Sequence, residues 1–344
     1  MRNDIMNPEK VFIIAELSAN HNGSLDTALE TIRAAKRAGA DAIKLQTYTA
    51  DTITLNSKNS DFMIAHDTIW DGRCLYDLYQ EAHTPWEWHG RLFDEAAKQG
   101  LYCFSSPFDP TAVDLLEELG CPAYKIASAE ITDIPLIEYI ASKGKPVIIS
   151  TGMADDKDIE LAVETVKKMG NNQIILLKCT TSYPAPIEEA NLIMIKDLAE
   201  RFKVISGLSD HTMGWVAPVV SVCFGARIIE KHFILNHSIG GPDASFSLDE
   251  REFTELVKAV RDAERAVGVI DYSLTDKMKR SRDFSRSLYV VKDIKVGEVI
   301  THENIKSIRP GYGLHPKYLP EILGRKVSQD LQKGSRFDLD FLMD

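Results

Sequence analysis

Two short clusters in this 344-residue chain carry residue types that do chemistry: Ser209-Asp210-His211 and Glu230-Lys231-His232. Each closes an apolar run, residues 203–206 and 226–229, and residues 215–224 between them are apolar enough for a buried helix. Two parallel strands joined by that helix would bring both clusters to the same end of one sheet. Two imidazoles meeting there suit a divalent cation with positions left open for a substrate. The same spacing fits one histidine that caps a helix and another satisfied in the core. Two ligands of unknown separation do not choose between these readings.

Other apolar runs also end in polar groups. Glu16 closes the first, Lys44 and Gln46 the second, and Ser105 the third. Lys125, Ser128 and Glu130 follow the fourth, Ser150 the fifth and Thr181 the sixth. Two lysines among hydroxyls form a phosphate cradle, and two carboxylates sit beside them. Each serine or threonine alone also suits a helix cap, and for Ser105 and Ser150 that reading is as good.

The elements that must position these groups follow from periodicity. Apolar runs at residues 11–16, 41–46, 101–105, 123–127, 146–150 and 173–179 precede the two runs above. Helical patterns fall at 25–38, 84–100, 110–119, 134–143, 155–169, 190–202 and 249–267. Eight strand–helix repeats in about 265 residues is the count of a TIM (β/α)8 barrel. The competing open doubly wound sheet lacks its GxGxxG signature after the first strand. In such a barrel the carboxyl ends of the strands build the site. Residues 48–83 exceed an ordinary βα loop, and read as a substrate-covering insertion, a partly ordered hairpin or a segment packed on the rim. The barrel domain is expected over 1–267, a polar linker containing KMKRSR over 268–285, and a small β-rich module broken by glycines over 286–344.

Composition narrows the function classes. A net charge of −11 argues against a nucleic-acid surface. No run approaches the ~20 apolar residues of a membrane span, and the N-terminus lacks an apolar signal region. Five cysteines without a framework spacing read as reduced thiols, and the expected compartment is the cytoplasm.

Taken in order, IAELSANHNG, DAIKLQTY, FSSPFD, YKIASAE, STGM, KCTTSYPAP, GLSDHT, EKHF and GPDASFSLD resemble the motif series of the sialic acid synthase family. The tail, with SRSLYVVKDIKVGEVIT and RPGYGLHP, resembles that family's antifreeze-like (SAF) domain. Within the family, QTYTADTITLNS and IWDGRCLYDLYQEAHTPWEWH are similar to the pseudaminic acid synthase branch. An N-acetylneuraminate or legionaminate synthase with a different N-acetylated hexose is the alternative.

The resemblance implies a metal-dependent condensation of phosphoenolpyruvate with an open-chain N-acetylated aminosugar, releasing phosphate. In the pseudaminic branch the sugar is 2,4-diacetamido-2,4,6-trideoxy-altrose. The family's metal ligands match His211 and His232, for Mn²⁺ or Mg²⁺, with Co²⁺ as a further candidate. Its phosphoenolpyruvate contacts match Glu16, Lys44, Ser105, Lys125, Ser128, Thr181 and Ser209, and its acid/base carboxylate matches Glu130. Gln46, Tyr48, Ser150 and Tyr183 complete the substrate-binding set. Asp243 matches an aspartate of the GPD segment. Arg309 matches the tail arginine that reaches the sugar in a domain-swapped homodimer. Thr181 and Ser105 depart from the Asn and Thr common at these positions, and both can still hydrogen-bond.

Overall fold

The computed structural model describes residues 5–65 and 68–343. The chain divides into two compact units, Met1–Gly268 and Val269–Asp344. In the first, eight parallel strands close into a barrel in sequence order. They are β1 (Phe12–Glu16), β2 (Ala42–Thr47), β3 (Tyr102–Pro107), β4 (Tyr124–Ile126), β5 (Val147–Ser150), β6 (Ile174–Cys179), β7 (Ile205–Asp210) and β8 (Ile228–His232). Almost every strand residue is buried, as expected of strands packed on both faces, so the strands read as continuous apolar runs.

The helices between them obey local rules. Ser24 caps Leu25–Arg37 by accepting from Thr27 N, and Asp155 and Asp249 close capping boxes on Asp156–Lys168 and Glu250–Val267. Gly100, at φ 66°, ends His89–Gln99 in the left-handed conformation. Two apolar clusters lie around the barrel, one centred on β4 to β6 and one on β1, β2 and the helix Glu250–Val267.

Two expectations need correction, the bounds of β7 and of β8. The run at 203–206 meets the strand only at 205–206: Lys203, at φ 57°, caps the helix Met194–Phe202, and β7 runs from Ile205 through Asp210. Likewise β8 reaches His232 rather than stopping at 229. Alternating polar residues hid the far ends of both strands, because inward positions at the barrel mouth are polar. Within residues 48–83, short helices at Ala50–Ile53 and Leu75–Ala82 flank an antiparallel bridge between Met63 and Cys74, where Ile64 N donates to the Arg73 carbonyl at 2.9 Å and Gly72 N to the Ile64 carbonyl at 2.8 Å, a partly ordered hairpin. The expected insertion also spans residues 66–67, which lie outside the described residues.

In the second unit, β9 (Ser287–Val290) and β10 (Ile305–Ile308) pair antiparallel over an apolar cluster that includes Leu288, Ile294 and Phe337. The polar stretch at 268–285 carries a short helix, Asp276–Ser281. Among the described residues no helix is long and apolar enough to cross a membrane.

Candidate active site

Strand alternation aims every second side chain of β1, β2, β7 and β8 at the barrel axis. Glu16, Lys44, Gln46, Lys125, Ser128 and Ser150 meet Ser209, His211 and His232 around a small hollow of about 60 Å³. Tyr183, Cys179 and Glu230 also line it. Above it opens a cavity of about 400 Å³. Gln46, Ser128, Tyr183 and His232 border both spaces, so they stand where a polar chamber joins a larger one.

Charge at the floor is paired. Lys44 Nζ lies 2.8 Å from Glu16 Oε2 and 3.5 Å from Glu230 Oε1. Lys125 Nζ lies 3.3 Å from the same Glu230 oxygen, which also accepts from Ser209 Oγ at 3.2 Å. Gln46 Nε2 donates to Glu16 Oε1 at 2.9 Å and to Ser18 Oγ at 2.8 Å. Burial opposes ionisation of Glu230, but Lys125 and Lys44 outweigh it and hold its carboxyl low. Burial, helped by Glu230, outweighs the pull of Lys44 on Glu16 and raises its carboxyl. Burial also lowers Lys125.

The two histidines converge. Their ring centroids are 5.4 Å apart at 62°, with Tyr183 lying 4.3 Å over His211. His211 Nδ1 is 2.8 Å from the Thr180 carbonyl, which leaves Nε2 free. His232 Nδ1 is buried without a hydrogen bond, with Asp243 Oδ2 at 3.7 Å. Burial, then His211 and the lysines, keeps His232 neutral, the state a metal ligand requires. Among the described residues no third His, Cys, Asp or Glu closes with these two rings into a compact three-ligand group. Two convergent imidazoles are a donor set that would leave positions open on a cation held between them, although, against the effect of burial, Cys179 beside His211 favours its charged form over the neutral one.

Glu130 ends the turn Ser128–Glu130, and its Oε2 is buried without a partner. Burial raises its carboxyl to about 7. Ser128 Oγ accepts from Gly152 N at 3.1 Å, while Ser150 Oγ and Thr181 Oγ1 are buried with no partner. Ser150 lines the hollow and Thr181 the upper cavity. Tyr48 and Asp243 line the upper cavity, where Ala19 N donates to Asp243 Oδ2 at 3.4 Å.

One expected residue is not brought to these walls. Ser105 Oγ is hydrogen-bonded to Thr47 Oγ1 at 2.6 Å behind β2 and β3, and lines neither space. Arg309 follows β10 in the second unit and is exposed.

Glu230 was not among the expected site residues. Its signal was present: two positions before His232 in a strand, it must share the same face. The insertion contributes Ile53, Met63, Ile64, Leu75, Leu78 and Tyr79 to the upper cavity, giving it an apolar side that composition alone did not show. Trp70 Nε1 donates to the Pro242 carbonyl at 3.3 Å, and its ring meets Tyr183 and Phe246 above the histidines.

The NeuB family profile matches residues 31–272, and the SAF domain profile matches 285–341. The chain is 51% identical over 326 residues to pseudaminic acid synthase of Campylobacter jejuni, covering 95% of each. It is 48% identical over 329 residues to pseudaminic acid synthase of Helicobacter pylori, covering 95% of this chain and 96% of that one. Among solved structures, N-acetylneuraminic acid synthetase of Leptospira borgpetersenii, crystallised with citrate, superimposes with a TM-score of 0.71. It is 32% identical and covers 79% of this chain and 90% of its own. A closed barrel with paired lysines and histidines at its mouth, matched along most of its length, makes this chain a member of the NeuB family, the sialic acid synthase family, with a SAF domain at its C-terminal end.

Proposed function

We propose that this protein condenses phosphoenolpyruvate with the open-chain form of 2,4-diacetamido-2,4,6-trideoxy-altrose, giving pseudaminic acid and inorganic phosphate. One observation carries the reaction class: a two-lysine polar hollow opens through Ser128, Tyr183 and His232 into a cavity with an apolar wall. An enol phosphate suits the first space, and the methyl groups of a diacetamido deoxysugar suit the second. The names of the Campylobacter and Helicobacter relatives support the sugar.

In this reading Lys44 and Lys125 bind the phosphate and carboxylate of phosphoenolpyruvate, displacing part of their pairing with Glu16 and Glu230. Ser128, Ser150, Thr181 and Ser209 donate to the same oxygens. Asp243, Gln46, Tyr48 and Tyr183 orient the sugar so that its aldehyde faces carbon 3 of the enol. As that carbon–carbon bond forms, carbon 2 gains positive charge, and the Glu16 and Glu230 carboxylates stabilise it. The aldehyde oxygen takes the carbonyl electron pair as an alkoxide and is then protonated; Glu130 takes a proton from the water that adds to carbon 2, and as phosphate leaves with the carbon–oxygen electron pair the new hydroxyl becomes the ketone and gives up its proton. His211 and His232 would hold a divalent cation, Mn²⁺ or Mg²⁺ before Co²⁺, which when bound supplies Lewis-acid polarisation of the aldehyde oxygen.

The proposal includes a domain-swapped homodimer in the cytoplasm, where the free cysteines stay reduced. Mixing Glu130→Ala and Arg309→Ala chains restores activity if sites are shared between subunits, and restores none if each chain completes its own.

The test is phosphate release from phosphoenolpyruvate and Mn²⁺ with either the diacetamido sugar or N-acetylmannosamine. Release with the diacetamido sugar alone is expected, and its loss after chelation supports the cation. Release only with N-acetylmannosamine overturns the sugar. Release with neither overturns the reaction.

A further inference from the structure

Asp210 and Lys231 each precede one of the two histidines, and they meet on the other face of the sheet. With Ser209, His211, Glu230 and His232 on the wall of the polar hollow, alternation turns Asp210 and Lys231 outward. Strands β7 and β8 pair these two residues directly. Lys231 Nζ lies 2.6 Å from Asp210 Oδ2, and both side chains are buried.

The pair holds more than itself. Asp210 Oδ1 accepts from Thr212 N at 3.0 Å, and Lys231 Nζ donates to the Thr212 carbonyl. His211 is enclosed by these ties. From the other side, Thr180 O meets its Nδ1 at 2.8 Å and Ala185 N donates to its carbonyl at 2.8 Å. The two strands also abut closely, since a Cβ on Gly207 would lie 2.2 Å from Ile228 O.

Stability alone does not explain a charge pair this deep, because apolar replacements of similar volume are often neutral or stabilising. What an apolar pair lacks is direction. A one-residue slip of β8 on β7 would turn Glu230 and His232 away from the axis, and an unclamped Thr212 would free the His211 backbone. We propose that Asp210 and Lys231 are positioning residues for His211 and His232, holding the two imidazoles at the separation a divalent cation needs while touching neither cation nor substrate. This rests on the reading of the two histidines as cation ligands.

The experiment measures Mn²⁺ binding by paramagnetic resonance of the free ion, phosphoenolpyruvate binding by calorimetry without metal, and Tm, for the full chain. The double variant Asp210→Asn/Lys231→Met removes both charges and leaves none unpaired. It should keep Tm and phosphoenolpyruvate affinity near the parent values and lose about 10–100-fold in Mn²⁺ affinity. Unchanged Mn²⁺ affinity, or a parallel loss of both ligands with Tm, overturns the inference and leaves the pair merely structural. If the double variant does not fold, Lys231→Arg decides. It keeps the charge and should bind Mn²⁺ within a few-fold of the parent at a lowered Tm, whereas loss of Mn²⁺ in strict proportion to stability overturns the inference. A parent protein that binds Mn²⁺ no better than His211→Ala/His232→Ala removes the cation reading beneath it, an outcome distinct from the others.

Discussion

Lys44 and Glu230 face each other across 3.5 Å at the floor of the polar hollow, and the same Glu230 oxygen stands 3.3 Å from Lys125. One carboxylate thus serves two buried ammonium groups. If an anionic ligand binds these lysines, it must displace this carboxylate or share it.

Replacing it tests that idea. Glu230→Gln leaves Lys44 paired with Glu16 and takes from Lys125 the carboxylate it is paired with, and removing one member of a buried charge group costs about 3–5 kcal/mol. Tm should fall, and inorganic phosphate should raise Tm more in the variant than in the parent. Thermal melts with and without phosphate measure this. An equal phosphate effect in both proteins means that Glu230 does not compete with the anion.

Burial raises the Glu130 carboxyl from 4.5 to about 7, so the folded protein favours its neutral form. Stability from this group is complete below pH 4.5 and is lost as pH rises through 7. Glu130→Gln removes that loss. The variant's Tm should gain on the parent's between those values and exceed it at pH 8. Activity moves the other way, because a proton acceptor must be ionised. Parent turnover should rise through pH 7, and the variant should lose about 100-fold or more while still binding phosphoenolpyruvate. Failure to bind phosphoenolpyruvate would make Glu130 structural.

Gly152 is packed against Ser128, which lines the hollow, and Thr181, which lines the upper cavity. A Cβ there would lie 2.3 Å from Thr181 Oγ1, 2.9 Å from Ser128 Oγ and 3.1 Å from Cys179 Sγ. Gly152→Ala should displace Ser128 and Thr181 and weaken phosphoenolpyruvate binding by about tenfold, as for one or two hydrogen bonds lost. Calorimetric titration reads this, and an unchanged affinity argues that neither hydroxyl contacts the ligand.

The apolar wall should set sugar preference. Leu78, on the helix Leu75–Ala82, lines the upper cavity. Leu78→Ala should reduce kcat/KM for the 6-deoxy sugar by about 10–100-fold, the range for a few lost methylene contacts. The loss should be smaller for a sugar bearing a hydroxyl at carbon 6. Equal losses for both would assign Leu78 to packing alone.

The barrel was legible because eight apolar runs alternate with helical periodicity, and a fully buried parallel strand leaves that pattern without any tertiary knowledge. Most site positions were legible for a related reason: polar residues at the ends of apolar strands have no other place in such a fold. Strand ends were misread at 203–206 and 226–229, because the polar residues that build the site look like a loop. Only the tertiary structure decided that Glu230 bridges two lysines, that Ser105 is tied to Thr47, and that residues 48–83 supply an apolar wall. Those facts depend on distances between residues far apart in the chain, which periodicity does not encode. Likewise the sequence shows Asp210 and Lys231 as two charges beside two histidines. The register of β7 on β8 turns them into one buried pair behind the site.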